Sequence, residues 1–301
     1  MVRISEEEVV RLLPMKEAVR LVREAFHGLA DGTAQNQARR RLFTPQGAVL
    51  HQLAGAFGKY FGAKIYSTHV KHGAWFTVLL YDAATAKPLA EIEANHLGQI
   101  RTGAASGVAT DLLARPDAAV LGVIGTGFQA QTQIAAIREV RPIREVRVWS
   151  RDPARRSAFA EKMQARATTT AEEAIRGADI VVTATYAKDP VLADDWIAEG
   201  THVNAIGSNN PQRREIPGAL VDRAAVIAVD AIDQARIESG DLLLAWTKAE
   251  QWDDPRLVEL ADVAAGKHAG RTSPRAVTIF KSNGLGVQDV AVGGYVFERY
   301  S

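Results

Sequence analysis

Residues 119–133 read AVLGVIGTGFQAQTQ. A short apolar run enters a pair of glycines and leaves with helical character, and Gly125-Thr126-Gly127-Phe128-Gln129-Ala130 fits G-x-G-x-x-A. The first glycine permits a tight turn and the second lets backbone approach a pyrophosphate. The small Ala130 allows the helix to pack on the strand, while the helix N-terminus faces the phosphates. Alone the pattern is weak, because glycine turns after strands are common. Its context strengthens it, since it follows an apolar strand, opens a helix and begins a long β/α alternation.

That alternation continues beyond Pro116. VLGVIG, EVRVWS, DIVVTATY, THVNAIG and AVIAVD are short apolar runs, most of them separated by helical segments. Parallel strands joined by crossover helices, the doubly wound α/β class, are expected. The chain before Pro116 differs in texture. Ser5 with Glu8 forms a capping box, and Val19, Val22, Phe26 and Leu29 recur at helical spacing until Gly32. HGAWFTVLLYD and PLAEIEA flank the turn-like AATAK, so residues from about 36 to 94 read as a sheet with hairpins. NHLGQIRTGAASGVATDLLA reads as a helix that begins near Asn95 and ends at Arg115-Pro116, and AVTIFKSNGLGVQDVAVGGYVFERY as a strand and a helix.

Composition narrows the function classes. Thirty-six Lys+Arg against 35 Asp+Glu give a net charge of +1, with no global field for nucleic acid or an anionic membrane. No cysteine is present, which removes disulfides, thiolate nucleophiles and Cys-ligated metals. The start, MVRISEEEVVRLL, lacks a signal-peptide core, and no apolar run approaches the ~18 residues that span a bilayer. A soluble, cytoplasmic protein of 301 residues is expected.

The second strand of the β/α region ends Val148-Trp149-Ser150-Arg151-Asp152. Dinucleotide folds place here, about 20 residues past the glycines, the acid that grips the ribose hydroxyl. A Ser-Arg pair, with Arg155 and Arg156 close behind, suits a 2′-phosphate better, so NADP(H) is favoured over NAD(H). The alternative is a solvated helix start capped by Asp152. Elsewhere, strand alternation sends at least one of Arg39-Arg40-Arg41 toward the opposite face, unless the run is a solvated edge. Lys64 sits among apolar neighbours in FGAKIYSTH, either functional or snorkelling to water. Arg101 lies in a small-residue helix, where a surface ion pair is the alternative. His69 and His72 have H-x-x-H spacing without a third ligand, so no metal site is expected. Guanidinium forks hold carboxylates, a lysine with a lowered pKa exchanges protons with an imine, and a nicotinamide moves hydride.

HLGQIRTGAASGVAT resembles the L-x-x-x-R-T-x-A-A-S segment of the ornithine cyclodeaminase and mu-crystallin family. AVLGVIGTGFQAQTQ, THVNAIGSNNPQRREI, AVDAIDQARIESGDL and FKSNGLGVQDVAV resemble its other segments, in the same order. The resemblance implies a Rossmann doubly wound domain, residues 116–275, inserted in an α+β substrate-binding and dimerisation domain, residues 1–115 completed by 276–301. It implies a homodimer acting on a small imino or amino acid with NAD(P). The family's carboxylate-binding arginines fall on Arg101 and on either Arg40 or Arg41, its lysine on Lys64, and Thr102 joins the coenzyme set with the glycine loop, Ser150, Arg151 and Arg155. One departure is Asn209 in Gly207-Ser208-Asn209-Asn210-Pro211, where cyclodeaminases and an alanine dehydrogenase carry Asp. An amide cannot take up a proton, which leans the reading toward NADPH-dependent reduction of a ketimine or cyclic imino acid. The alternatives are an ornithine cyclodeaminase-type lyase, an alanine dehydrogenase-like enzyme, or a non-catalytic NADPH-binding protein.

Overall fold

The Ser5 hydroxyl accepts from Glu8 N at 3.4 Å and the Glu8 carboxylate accepts from Ser5 N at 2.8 Å, closing the capping box. The computed structural model describes residues 1–300. In it β1 (Val2–Ile4) leads into the capped α1 (Glu6–Leu12) and into α2 (Met15–Asp31), which Gly32 ends at φ +81°. The hairpin region forms β2 (Gln35–Phe43), β3 (Ala48–Phe57), β4 (Tyr60–His69), β5 (Gly73–Asp82) and β6 (Pro88–Glu93), followed by α3 (Asn95–Leu113). Then come β7 (Val120–Ile124), α4 (Phe128–Val140), β8 (Glu145–Trp149), α5 (Pro153–Met163), β9 (Arg166–Ala167), α6 (Ala171–Ile175), β10 (Ile180–Thr183) and β11 (His202–Ala205). The remainder is α7 (Gly218–Arg223), β12 (Val226–Val229), α8 (Ile232–Glu238), α9 (Gly240–Leu243), β13 (Leu257–Glu259), α10 (Leu260–Ala264), β14 (Thr278–Lys281) and α11 (Gly286–Tyr300).

Internal packing divides the chain into two units, one of Met1–Ala104 together with the chain from Gly284 onward, the other Ala105–Asn283. The division falls within α3, whereas the helix-ending Arg115-Pro116 is the punctuation visible in the sequence.

The first unit holds a six-stranded sheet in the order β1-β6-β5-β4-β3-β2, antiparallel except for the β1–β6 pair. Helices α2 and α11 pack together, and α11 lies along β3 and β4. This contact is closer than side chains allow: a Cβ on Gly55 would stand 2.5 Å from the Val287 backbone. Glycine therefore brings helix and strand together, and Val78, Leu80 and Ile92 are buried on β5 and β6.

The second unit holds eight parallel strands in the order β13-β12-β14-β11-β10-β7-β8-β9. From β7 the chain winds one way to β9 and then returns to β10 on the other side of β7. The resulting switch point is where open α/β sheets bind ligands. One apolar cluster contains Leu121, Val123, Ile180 and Val182, and another contains Ile124, Val181, Val203 and Ile279. Both faces of the sheet are thus covered, which explains strands read as unbroken apolar runs.

Because backbone cannot yield as a flexible side chain can, Gly55→Ala is expected to destabilise the fold by about 1–3 kcal/mol. Urea unfolding with an unchanged m-value checks it, and an unaltered midpoint would refute the close-approach account.

Candidate functional site

Within the first unit, register places one set of residues on a single sheet face. Lys64 pairs with Leu53 and Val78, and Tyr66 with His51 and Phe76. Arg41 pairs with His51, but between Gln37 and Arg40 the β2–β3 register shifts. The shift sets Ala38 and Arg39 against the single residue Leu53, a β-bulge. It turns Arg39 onto the Lys64 face, buried, while Arg40 is exposed and Arg41 is half-buried on the His51 side. Arg41, paired with His51, shares the Lys64 face, and Arg39 is the buried arginine whose charge bears directly on Lys64. The cause is one extra bulge residue, which spacing does not reveal.

Lys64 Nζ lies 3.2 Å from Asp289 Oδ1 of α11, and Arg101 Nε of α3 lies 3.2 Å from that same oxygen. Arg101 Nη1 also donates to Gln288 Oε1 at 3.1 Å. Two glycines make room for these cations. A Cβ on Gly98 would collide with the Lys64 ammonium, and one on Gly284, at φ +79°, with the Arg101 guanidinium. Burial pushes the Lys64 ammonium down to about 8, Asp289 opposes the shift, and Arg101 and Arg39 reinforce it. His51, stacked on Tyr66 at 4.2 Å, is held down to about 4 by burial and by Arg41 and Arg39. Lys64 and Arg101 share one buried carboxylate, so two cations stand against one acid, and the charge of Arg39 also bears on Lys64. Uncompensated buried charge is costly, and a bound anion offsets it.

In the second unit, Gly125 takes φ +111°, and a Cβ there would run into the Ala184 carbonyl. Gly127 caps α4 without a side-chain hydrogen bond, and a Cβ on it would meet nothing within 4 Å. The helix thus presents backbone N–H groups beside open space, the arrangement that fits a pyrophosphate. Ala130 is buried in the apolar core beneath, Phe128 is partly exposed, and the Gln129 carbonyl accepts from Thr132 Oγ1 at 3.1 Å. Thr126 Oγ1 donates to Ser150 Oγ at 2.9 Å, and Arg156 Nη1 donates to Ser150 O at 2.9 Å. Asp152 caps α5 by accepting from Arg155 N at 3.1 Å and pairs with the Arg155 guanidinium at 3.6 Å. Arg151 is exposed. Thr102, on α3 of the first unit, donates its hydroxyl to Gly98 O at 2.7 Å.

Asn209 lies in the loop after β11, and that loop is pinned from several sides. Glu215 accepts from Gly207 N at 2.7 Å, Thr183 Oγ1 at 3.0 Å, Thr185 N at 2.6 Å and Thr185 Oγ1 at 2.7 Å. Lys281 Nζ donates to Ser208 O at 2.6 Å and pairs with Asp241 at 2.9 Å, and Asp241 Oδ1 accepts from Glu215 N at 2.6 Å. Burial and the nearby Asp241 raise the Glu215 pKa. Reasoning from sequence alone missed Glu215, Asp241 and Lys281, as it missed Asp289, Gly98 and Gly284. A usable signal existed for Asp289: an acid inside the apolar stretch Gly286-Val287-Gln288-Asp289-Val290-Ala291-Val292 needs a buried partner. The His69 and His72 rings lie 4.5 Å apart, tilted by 37°, and among the described residues no group of three or more potential ligands could hold a metal.

The chain is 40% identical over 228 residues to a Delta(1)-pyrroline-2-carboxylate reductase of Bacillus cereus, covering 74% of this chain and 70% of that one. The solved Delta(1)-pyrroline-2-carboxylate reductase of Thermococcus litoralis, in complex with NADH and L-proline, superposes with TM-score 0.92 at 31% identity, covering 99% and 97%. An archaeal alanine dehydrogenase dimer with bound NAD superposes with TM-score 0.93 at 34% identity, covering 98% and 94%. The model of the ornithine cyclodeaminase/mu-crystallin family matches residues 1–301, and the chain belongs to that family.

Proposed function

We propose that this chain is an NAD(P)H-dependent reductase of a small ketimine or cyclic imino acid, of the pyrroline- or piperideine-2-carboxylate kind. The observation that carries the reading is the buried pair of Lys64 and Arg101 on one acid, with Arg39 bearing on Lys64 and the Lys64 pKa at about 8. Arg101 and Arg39 bind the substrate carboxylate, since guanidinium presents paired donors that match two oxygens. Lys64, as the ammonium, donates its proton to the imine nitrogen and makes the adjacent carbon more electrophilic. That carbon takes up hydride, the nitrogen keeps the proton, and the neutral Lys64 amine recovers a proton from solvent. The bound nicotinamide supplies the hydride. Burial of Lys64 and Arg101 keeps water from screening these charges.

Gly125, Thr126, Gly127, Phe128, Gln129 and Ala130 would hold the pyrophosphate, and Ser150 with Arg151 the adenosine ribose. Asp152 is already engaged as a helix cap, which frees that corner for a 2′-phosphate and supports NADP(H). Asn209 supports simple reduction over cyclising deamination, because its amide cannot hold the proton that the longer sequence must move. The sheet face opposite Lys64 supports a homodimer. It exposes Leu42, Phe61 and Trp75 beside Ile65, Leu79 and Tyr81, apolar area that isolated subunits rarely leave open. A cytoplasmic location belongs to the same reading.

The deciding assay follows NADPH oxidation with pyrroline- and piperideine-2-carboxylate, with pyruvate plus ammonia or methylamine, and ammonia release from ornithine. Turnover only of the cyclic imines is the expected result. Alanine formation from pyruvate, ammonia release from ornithine, or coenzyme binding without turnover would each replace the reading. Lys64→Ala should lower turnover about 10²–10⁴-fold with NADPH affinity unchanged. In the wild type, turnover should fall as pH rises through about 8, since the proton donor is the charged form. Arg151→Ala should erode a preference for NADPH over NADH by about tenfold, or ~1.4 kcal/mol, measured as paired dissociation constants.

A further inference from the structure

We infer that Asp289 is the positioning residue of the site: it fixes Lys64 and Arg101 in one arrangement and supplies the charge that keeps Lys64 protonated during the reaction. The inference rests on the reading of Lys64 as proton donor. Asp289 acts through its partners. It is fully enclosed, while Lys64 and Arg101 retain a few per cent of their surface, so substrate reaches the cations and not the carboxylate.

A single oxygen, Oδ1, serves both cations at 3.2 Å, and Oδ2 has no hydrogen-bond partner among the described residues. The carboxylate is therefore spent on these two neighbours. Beyond Asp289, the charged groups that bear most on Lys64 are positive: Arg39 from β2 and Arg101 from α3. His51 from β3 is neutral at working pH, and β4 and β5 contribute Tyr66 and the Phe76 ring, whose centroid lies 5.4 Å from Nζ. Without Asp289 the ammonium would be buried among like charges, and such a lysine loses its proton. Geometry adds a second constraint. The space over Gly98 lets Nζ reach Asp289, and the space at Gly284 admits the guanidinium to the same oxygen. Asp289 lies in the fourth helical position of α11, the helix held against β3 by the close contact at Gly55, so backbone packing sets the position of the carboxylate.

The test compares wild type, Asp289→Asn and Asp289→Glu by two readouts. One is the pH profile of imine reduction. The other, independent of turnover, is an NMR titration of [ε-13C]lysine-labelled protein, with the Lys64 signal identified by its loss in Lys64→Arg. An opposite charge within ~4–6 Å is worth about 1–3 pKa units. Asp289→Asn should therefore move both the alkaline limb and the Lys64 titration down by at least about one unit. For a one-unit shift, turnover would then drop about fivefold at pH 8 and recover most of its wild-type value near pH 6. NADPH affinity should not change, and Asp289→Glu should restore the titration to within a few tenths of a unit. Lys64 titrating at the wild-type pH in Asp289→Asn overturns the inference. If the wild type reduces no imino acid, the proposed function falls while the NMR titration still decides the role of Asp289. If Asp289→Asn does not fold, Asp289→Glu decides: a Lys64 titration lowered by a full unit with the carboxylate retained overturns it.

Discussion

One carboxylate oxygen, Asp289 Oδ1, holds a lysine and an arginine that would otherwise repel each other in a dehydrated setting. Burying like charges side by side is among the more expensive arrangements a fold can contain, and it persists only where surrounding structure enforces it. Here the enforcement is visible. Lys64 comes from a strand paired on both sides, Arg101 from a long helix, and Asp289 from a helix laid against glycine. The acid offsets only part of the charge. What remains is a standing attraction for an anion, which the carboxylate of the proposed imino-acid substrate would satisfy while bringing its C=N bond to Lys64.

The second unit solves a different problem with similar means. Gly125 and Gly127 leave the backbone of the turn before α4 bare at both positions, as the proposed approach of a pyrophosphate would require. The loops beside such a turn need anchoring, and Glu215 does this by accepting from the ends of β10 and β11. Lys281 and Asp241 complete a buried network in which one lysine is set against two acids, the reverse of the charge balance in the first unit. The second unit thus spends its buried polar groups on holding backbone, and the first spends them on creating charge. That division matches what a coenzyme and a carboxylate substrate each ask of a protein.

Much of this was open to reading in the chain itself. The glycine turn, the β/α alternation, the capping box at Ser5 and the hairpin around AATAK all depend on contacts within a few residues, and each appears in the structure where expected. Lys64 and Arg101 could be singled out because a charge among small or apolar neighbours demands explanation. Their common partner could not be named, since Asp289 stands 225 residues from Lys64 and 188 from Arg101 along the chain. Residue type marks a need for compensation without saying which distant group supplies it.

The arginine run shows the same boundary at finer scale. Composition made it certain that Arg39-Arg40-Arg41 would put some charge on each side of a strand, because side chains alternate. Which of them share the Lys64 face depended on a bulge, a property of how β2 pairs with β3 and not of β2 alone. By itself the sequence determined the local elements, the parallel and antiparallel halves, and the chemical types available to the site, because short-range sterics and hydrophobic periodicity act through near neighbours. Only the tertiary structure decided which arginine turns inward, which acid binds the cations and which glycines admit them. Those outcomes follow from the meeting of surfaces that the chain brings together only when it folds.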